Sequence, residues 1–229
     1  NFINNFSDLP KEQLDEFKTS KDIALLDLIE KNIKAIHKQG DKANNIITKM
    51  LAHSRLKSSD ATQTNIHSLI EEDLSLALHS FKMKNPLFQI FVKKDFDEKI
   101  PIISLSREDF SRTLLNLINN ALYALVSKKG QNPTLSIKTE ATKNGVIIKI
   151  RDNGVGISKE VQEKLYVPFF TTKPTGIGTG LGLSLARAYI VDELGGKIEC
   201  KSKEGEFTEF TLFIPIRTEM ARLHRSDEA

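Results

Sequence analysis

The chain has 229 residues, of which 39% are hydrophobic and 28% are charged, and this composition excludes both a disordered and a membrane-embedded protein. The 33 lysines and arginines exceed the 30 aspartates and glutamates by only three, which argues against nucleic-acid binding. The single cysteine, Cys200, excludes an internal disulfide or a Cys-rich zinc site, and no apolar run approaches the ~20 residues of a membrane span. We therefore expect a cytoplasmic chain without membrane contact of its own, and leave open whether the intact protein is attached to a membrane.

The first third of the chain carries a helical pattern with a 3.5-residue repeat. Such a repeat predicts the seam of a coiled coil or helical bundle, and one helix cannot bury that stripe alone. The repeat comprises Leu26, Ile29, Ile33, Ile36, Gly40, Ala43, Ile47, Met50 and Ser54. Because residues 58–64 have the composition of a linker, we predict a partial helical segment over 1–60, a second domain over 61–217 and a charged tail over 218–229.

The second domain mixes helices and strands. Its predicted elements are, in chain order, a helix over Ile66–Lys84, a strand over Phe88–Val92, a helix capped by Ser106 and closed by Gly130, a hairpin of strands Thr134–Thr142 and Val146–Arg151, a Gly- and Thr-rich loop over Phe169–Gly180, a helix over Leu181–Leu194 and strands over Lys197–Lys201 and Glu209–Ile214. Helices combined with antiparallel strands in this way predict an α+β domain in which helices cover one face of a sheet.

Two asparagines lie four residues apart within the second long helix. Asn116 and Asn120 therefore point from the same helix face, among apolar neighbours. Amides beside a buried face need hydrogen-bond partners or a hard cation as ligand. The alternative is a pair of asparagines that face solvent.

A second polar cluster, Asp152-Asn153-Gly154-Val155-Gly156-Ile157, directly follows a predicted strand. A carboxylate at this place accepts hydrogen bonds, and its glycines let a ligand approach the backbone closely. The dinucleotide-binding fingerprint is not met, because the expected acidic residue and βαβ context are missing. An ordinary turn remains an alternative.

A third cluster, Gly176-Ile177-Gly178-Thr179-Gly180-Leu181-Gly182-Leu183, leads into a helix. Backbone N–H groups ahead of a helix form a cradle for an anion such as phosphate, and Lys173 lies just upstream. No Gly-Lys-Ser/Thr follows, so this is not a P-loop. The alternative is a flexible surface loop.

Taken together, the order and spacing of the clusters resemble the ATP-binding domain of sensor histidine kinases, in the GHKL ATPase superfamily, over about Ile66–Ile216. The matching motifs are Leu115–Ala121 for the N box, Asp152–Gly156 for the first glycine box, Pro168–Lys173 for the F box, Gly178–Leu183 for the second glycine box and Gly205–Thr208 for the last Gly-x-Gly-Thr. The resemblance implies a two-layer α/β sandwich of the GHKL type, preceded by a helical-bundle segment.

The resemblance also implies that ATP and Mg²⁺ are the ligands of this domain. Asp152 would accept a hydrogen bond from the adenine amine, and Thr208 would hold a water beside it. Asn120 would ligate Mg²⁺, with Asn116 supporting the phosphates or the metal. The remaining implied ATP-binding residues are Gly154, Gly156 and Ile157 around the base, Phe169 and Phe170 as anchors of the lid, and Lys173, Gly176, Gly178, Thr179, Gly180, Leu181, Gly182 and Leu183 around the phosphates.

The sequence departs from the family pattern at two positions. Tyr123 stands where many members carry Lys or Arg three residues after the metal-binding asparagine, and its ring is available to stack on the nucleotide. Phe207 stands where a second glycine is usual in the last glycine box.

Asn116 separates two catalytic classes within the superfamily. The members that hydrolyse ATP resemble one another in carrying a glutamate at this place as the general base, and an amide cannot take a proton there. Phosphoryl transfer to an acceptor is therefore favoured over hydrolysis. The alternative is a GHKL-type nucleotide-binding or ATPase module without histidine phosphotransfer.

The histidines do not provide the acceptor that the resemblance implies. In this family the acceptor precedes an acidic residue, whereas His37, His53, His67, His79 and His224 all lack an acidic residue directly after them. We therefore expect the phosphoacceptor to lie upstream of residue 1. The implied partners are a response-regulator receiver domain and a second copy of the chain, joined through the helical bundle in the intact protein.

Overall fold

The computed structural model describes residues 28–34, 61–128, 132–174 and 178–216. The chain divides into two compact units, residues 1–57 and 58–229. In the first unit, residues 28–34 are helical, with Ile29 buried and Ile33 exposed. The other positions of the predicted 3.5-residue repeat, and the predicted tail over 218–229, lie outside the described residues.

The second unit contains two sheets and the helices that pack on them. Its elements are β1 (Thr62–Thr64), α1 (Ile66–Lys84), β2 (Phe91–Asp95), β3 (Ile103–Leu105), α2 (Arg107–Ser127), β4 (Thr134–Thr142), β5 (Gly145–Asp152), α3 (Lys159–Gln162), α4 (Gly182–Arg187), β6 (Lys197–Lys203) and β7 (Phe207–Pro215). A π-helical stretch, Ala188–Glu193, continues α4. The main sheet has the order β2-β4-β5-β7-β6, and β1 pairs with β3 in a separate antiparallel ladder. The β2–β4 pair is parallel, whereas the β4–β5, β5–β7 and β6–β7 pairs are antiparallel.

One face of the main sheet forms the core together with α1 and α2. Along β4, β5 and β7 the buried residues alternate with half-buried or exposed ones, as the pleat of a strand requires. The apolar stripe of α2 supplies Phe110, Leu114, Leu117, Ile118 and Leu122, each 1% exposed or less. The predicted two-layer α+β architecture is confirmed.

Local signals explain where the two long helices begin. Asn65 accepts a hydrogen bond from the backbone N–H of Ser68 at the start of α1 (3.1 Å), and Ser106 accepts one from Asp109 at the start of α2 (3.2 Å). The Ser106 cap had been predicted.

The structure corrects several predicted elements. The strand predicted over Phe88–Val92 begins only at Phe91, because residues 85–88 form a turn in which the Phe88 N–H bonds to the carbonyl of Asn85 (3.1 Å). The helix predicted over Leu181–Leu194 is part α-helix and part π-helix, and β1, β3 and α3 were missed because each is only three or four residues long. No helix in the described ranges is long and apolar enough to cross a membrane.

Candidate functional site

A cavity of about 480 Å³ opens between α2, the loop after β5, residues 165–173 and 178–183, and β7. It brings residues from all the predicted clusters together. The predicted site residues that line it are Asn116, Asn120, Tyr123, Asp152, Gly156, Ile157, Phe170, Lys173, Gly178, Thr179, Gly180, Gly182, Leu183 and Thr208. Gly154, Phe169 and Leu181 do not line it, and Gly176 lies outside the described residues.

Two buried polar side chains form one end of this cavity. Asp152 ends β5 and Thr208 lies near the start of β7, where the two residues are cross-strand partners. Each is only 4% exposed. Asp152 Oδ1 accepts a hydrogen bond from the backbone N–H of Gly154 (2.8 Å). Burial raises the pKa of Asp152 to about 6, although this N–H and the charges of Arg151 and Lys128 oppose the increase.

The loop after β5 needs its glycines for close packing. A Cβ atom on Gly154 would lie 2.6 Å from the carbonyl oxygen of Ala124 in α2. Gly156 has a φ of +67°, and a Cβ there would lie 2.1 Å from the carbonyl oxygen of Lys203. Gly154 therefore lets the loop pack closely against α2. Gly156 lets it pack against the β6–β7 hairpin, and it also lines the cavity.

The opposite end of the cavity contains a half-buried cation. Lys173 Nζ donates a hydrogen bond to Asn120 Oδ1 (2.7 Å) and lies 4.6 Å from the centroid of the Tyr123 ring. Burial lowers the pKa of the Lys173 ammonium. The ring of Tyr123, predicted to be available for stacking on a nucleotide, instead contacts the lysine, in a cation–π geometry.

Asn116 links α2 to the start of α4. Its Nδ2 donates a hydrogen bond to the carbonyl oxygen of Gly182 (3.2 Å). A Cβ at Gly182 would lie 3.0 Å from the Asn116 amide oxygen, so a side chain there would press on this amide. The Asn116 amide oxygen keeps its capacity to accept hydrogen bonds or to bind a cation.

The ends of the glycine-rich loop are joined through the backbone. The N–H of Phe169 donates to the carbonyl of Gly180 (3.0 Å), and both residues have positive φ angles, +65° and +68°. A Cβ at Gly180 would lie 2.2 Å from the carbonyl carbon of Phe169. The side chain of Phe169 is 40% exposed, so at this residue the backbone, rather than the aromatic ring, makes the contact with the loop end.

Several lining residues were not predicted from the sequence. The apolar ones carry a pattern that signals a core position, which does not distinguish a cavity wall from ordinary packing, and the polar ones carry no signal of their own. The unpredicted lining residues are Ser158, Val161, Leu165, Glu204 and Phe210. Phe210 was detectable, because it lies two residues after Thr208 on the same face of β7.

The described residues contain no group of three or more His, Cys, Asp or Glu side chains that could hold a metal ion. The possible metal ligands at this end are instead the amide oxygens of Asn120, which is bonded to Lys173, and of Asn116 on the same helix face. A metal held there would keep most of its ligands as water or phosphate oxygens, which suits Mg²⁺.

Residues 106–218 match the family described as "Histidine kinase-, DNA gyrase B-, and HSP90-like ATPase". The chain is 32% identical to the signal transduction histidine-protein kinase AtoS of Escherichia coli K12 over 80% of its own length and 29% of AtoS. It is 31% identical to the sensory histidine kinase/phosphatase NtrB of Klebsiella oxytoca over 80% of its own length and 52% of NtrB. The chain thus spans about a third to a half of the length of these relatives.

Solved structures of a histidine kinase are also similar to this chain. The nucleotide-free catalytic domain of histidine kinase ThkA superposes with a TM-score of 0.58 at 31% identity, over 69% of this chain and 96% of that domain. ThkA in complex with the response regulator protein TrrA superposes with a TM-score of 0.56 at 26% identity, over 94% of this chain and 59% of the ThkA chain.

Proposed function

The chain belongs to the sensor histidine kinases, within the histidine kinase-, DNA gyrase B- and HSP90-like ATPases, and we propose that its second unit binds Mg²⁺–ATP and transfers the γ-phosphate to a histidine. A receiver domain of a response regulator would then take the phosphoryl group. One observation carries this proposal: a single cavity has a buried acceptor pair, Asp152 and Thr208, at one end and a lysine with a glycine-rich helix start at the other.

The Asp152 end suits the adenine base. Asp152 and Thr208 face the same cavity, and an ionised carboxylate accepts hydrogen bonds without donating any. The exocyclic amine of adenine is a donor, so it pairs with Asp152. Gly156 and Ile157 would lie against the base plane, and Val161, Leu165 and Phe210 supply apolar surface to the same cavity.

The Lys173 end suits the phosphates. Lys173 is half-buried and bonded to Asn120 Oδ1, and the backbone of Gly178–Gly182 lies beside it at the start of α4. When a triphosphate and Mg²⁺ bind, Lys173 would move its ammonium from Asn120 to phosphate oxygens, which frees the amide oxygen for the metal. Asn116, on the same helix face, would support the phosphates or the ion. The ion itself would neutralise charge that develops on the transferred group.

The positions of the carboxylates favour transfer over hydrolysis. The two carboxylates that line the cavity, Asp152 and Glu204, both lie near the base end, because Glu204 adjoins the contact of Gly156 with the β6–β7 hairpin. At the phosphate end, Asn116 occupies the place of a general base, and its amide is bonded to Gly182. No described carboxylate is therefore positioned there to activate water.

The whole protein's organisation is part of the same proposal. We assign residues 1–60 to a partial dimerisation segment whose acceptor histidine lies elsewhere in the protein, residues 61–217 to the ATP-binding domain and residues 218–229 to a charged tail. The relative ThkA is known in complex with a response regulator protein, which supports a receiver domain as the partner. A homodimer through the helical segment is part of the same proposal.

Labelled ATP tests the proposal directly. The chain is incubated with γ-labelled ATP and Mg²⁺, alone and with a histidine-containing helical bundle from the intact kinase. We expect acid-labile, base-stable label on the added bundle and none on the chain alone. Nucleotide binding without any transfer would favour the alternative of a binding module, and steady phosphate release without an acceptor would favour an ATPase. Stoichiometric label on a histidine of this chain, such as His53, would contradict the assignment of the acceptor.

A further inference from the structure

The hydroxyl of Ser202, a residue that does not line the cavity, makes three hydrogen bonds. The backbone N–H of Ile157 donates to Ser202 Oγ (2.8 Å), and Ser202 Oγ donates to the carbonyl oxygen of Phe207 (2.7 Å). Ser202 Oγ also lies 3.0 Å from Thr208 Oγ1. The third contact joins it to a residue that does line the cavity.

The donor in the Ser202–Thr208 contact follows from counting hydrogens. A serine hydroxyl has one hydrogen and two lone pairs. The carbonyl of Phe207 has no hydrogen to give, so it takes the hydrogen of Ser202, and Ile157 N–H occupies one lone pair of Ser202 Oγ. Only acceptance remains for Ser202, and Thr208 must therefore donate its hydrogen to Ser202.

This order of hydrogens leaves Thr208 with only lone pairs to offer to the cavity. Asp152, its cross-strand partner, is likewise an acceptor when ionised, with Oδ1 already bound by the Gly154 N–H. The two buried polar side chains described at the base end, Asp152 and Thr208, thus offer only acceptors to the cavity. A base with an amine at the position facing this wall is matched, whereas a base with a carbonyl oxygen there meets acceptor against acceptor.

We propose that Ser202 is a positioning residue for base selection, which holds the hydroxyl hydrogen of Thr208 away from the cavity and so excludes nucleotides that carry a carbonyl in place of the adenine amine. The inference rests on the proposed function, because it assumes that the base lies against Asp152 and Thr208. It adds a residue outside the cavity and a stated basis for rejecting a competing nucleotide.

The experiment compares ATP with inosine triphosphate, which differs by a carbonyl in place of the amine and a hydrogen on the adjacent ring nitrogen. The dissociation constants of both are measured at pH 7.5 for the unaltered chain, Ser202→Ala, Thr208→Val and the double variant. In Ser202→Ala the Thr208 hydrogen is released and can be donated to the carbonyl of the inosine base. We expect the ratio of the two dissociation constants, inosine triphosphate over ATP, to fall about threefold to tenfold, the worth of one neutral hydrogen bond.

The design separates the proposed role from mere packing. Loss of the Ile157 contact in Ser202→Ala weakens both nucleotides alike and leaves their ratio unchanged, and the ratio does not depend on the fraction of folded protein. Since the effect acts through Thr208, Ser202→Ala must not alter the ratio in the Thr208→Val background. Ser202→Thr, which retains a hydroxyl, should keep the ratio of the unaltered chain.

Two results would overturn the inference. One is an unchanged ratio in Ser202→Ala, and the other is an equal fall in the presence and absence of the Thr208 hydroxyl. Neither would contradict ATP binding by the unaltered chain. Failure of that chain to bind ATP, or equal affinity for both nucleotides, would instead contradict the proposed placement of the base and the inference with it.

Discussion

Replacing Asp152 by asparagine should weaken ATP binding and at the same time stabilise the empty domain. The carbonyl oxygen of asparagine can still accept the Gly154 N–H that Asp152 Oδ1 accepts now at 2.8 Å. The change therefore acts on the second oxygen, which becomes an NH₂ group. This group meets the adenine amine donor to donor.

The stability effect follows from the pKa of Asp152. Burial raises this pKa from 3.8 to about 6, so the folded chain holds the proton more tightly than the unfolded chain, and the ionised carboxylate costs stability at pH 7. About two pKa units at about 1.4 kcal/mol each put this cost at up to about 3 kcal/mol. Asp152→Asn removes it. The gain in the free energy of unfolding should be full above about pH 6, shrink as the pH falls toward 4 and vanish below.

The binding effect has the opposite sign. Loss of a buried hydrogen bond and the donor–donor contact should cost ATP binding roughly 1–3 kcal/mol. GTP carries an acceptor at the same ring position and should lose much less. Calorimetric titration with both nucleotides, and urea unfolding at pH 7 and pH 4, measure the two effects on one variant. Glu204→Gln is the matched control, because Glu204 lines the same cavity but is exposed. Equal weakening of ATP and GTP would refute base recognition by Asp152, and a lower stability at pH 7 would refute the burial argument.

Two further substitutions and one hydrogen-exchange comparison test the rest of the site. Lys173→Met should weaken ATP by roughly 1.5–3 kcal/mol, the worth of a hydrogen bond to a charged group, and leave adenosine binding unchanged in the same titration; an equal loss for both would place Lys173 away from the phosphates. Gly156→Ala should unfold the domain at a clearly lower urea concentration than Gly205→Ala, because both glycines have positive φ but only at Gly156 would the new Cβ meet backbone atoms; similar midpoints would contradict this difference in packing. Hydrogen exchange at Thr171–Lys173 and Gly178–Gly180 should slow more with a non-hydrolysable ATP analogue than with adenosine at matched occupancy, since phosphate contacts offset the ordering entropy of this segment; equal protection would mean that the γ-phosphate is not its ligand.

The sequence predicted the regular part of the fold well because its patterns are local. α1 spans Ile66–Lys84 and β4 spans Thr134–Thr142, as the apolar periodicity and the flanking turn residues indicate. β2 was misplaced because the apolar residues before it pack around a turn: the Phe88 ring makes an edge contact with Phe81, with centroids 5.7 Å apart. A periodicity argument cannot separate such a turn from the start of a strand.

The contacts between distant parts of the site were not predictable in the same way. Lys173 and Asn120 are 53 residues apart, and Ile157 and Ser202 are 45 apart. No local pattern relates the members of such pairs. The motif resemblance indicated that Lys173 belongs to the site, but only the structure shows that its ammonium lies between Asn120 and the ring of Tyr123. Ser202 carries no sequence signal of its own, because a serine on an edge strand is expected to face solvent.

Asp152 and Thr208 nevertheless interrupt the apolar pattern of the two strands that carry them. The inward positions of β5 are Val146, Ile148 and Ile150, followed by Asp152, and those of β7 are Thr208 followed by Phe210, Leu212 and Ile214. In both strands one polar residue takes a position where the pleat demands an apolar one, and the register places the two side by side. A buried carboxylate and hydroxyl weaken a core unless they gain partners. The Gly154 N–H and the Ser202 hydroxyl satisfy Asp152 and Thr208 only in part, and burial still raises the pKa of Asp152. Because the sheet does not need this cost to form, two such residues at paired positions favour a ligand as a further partner.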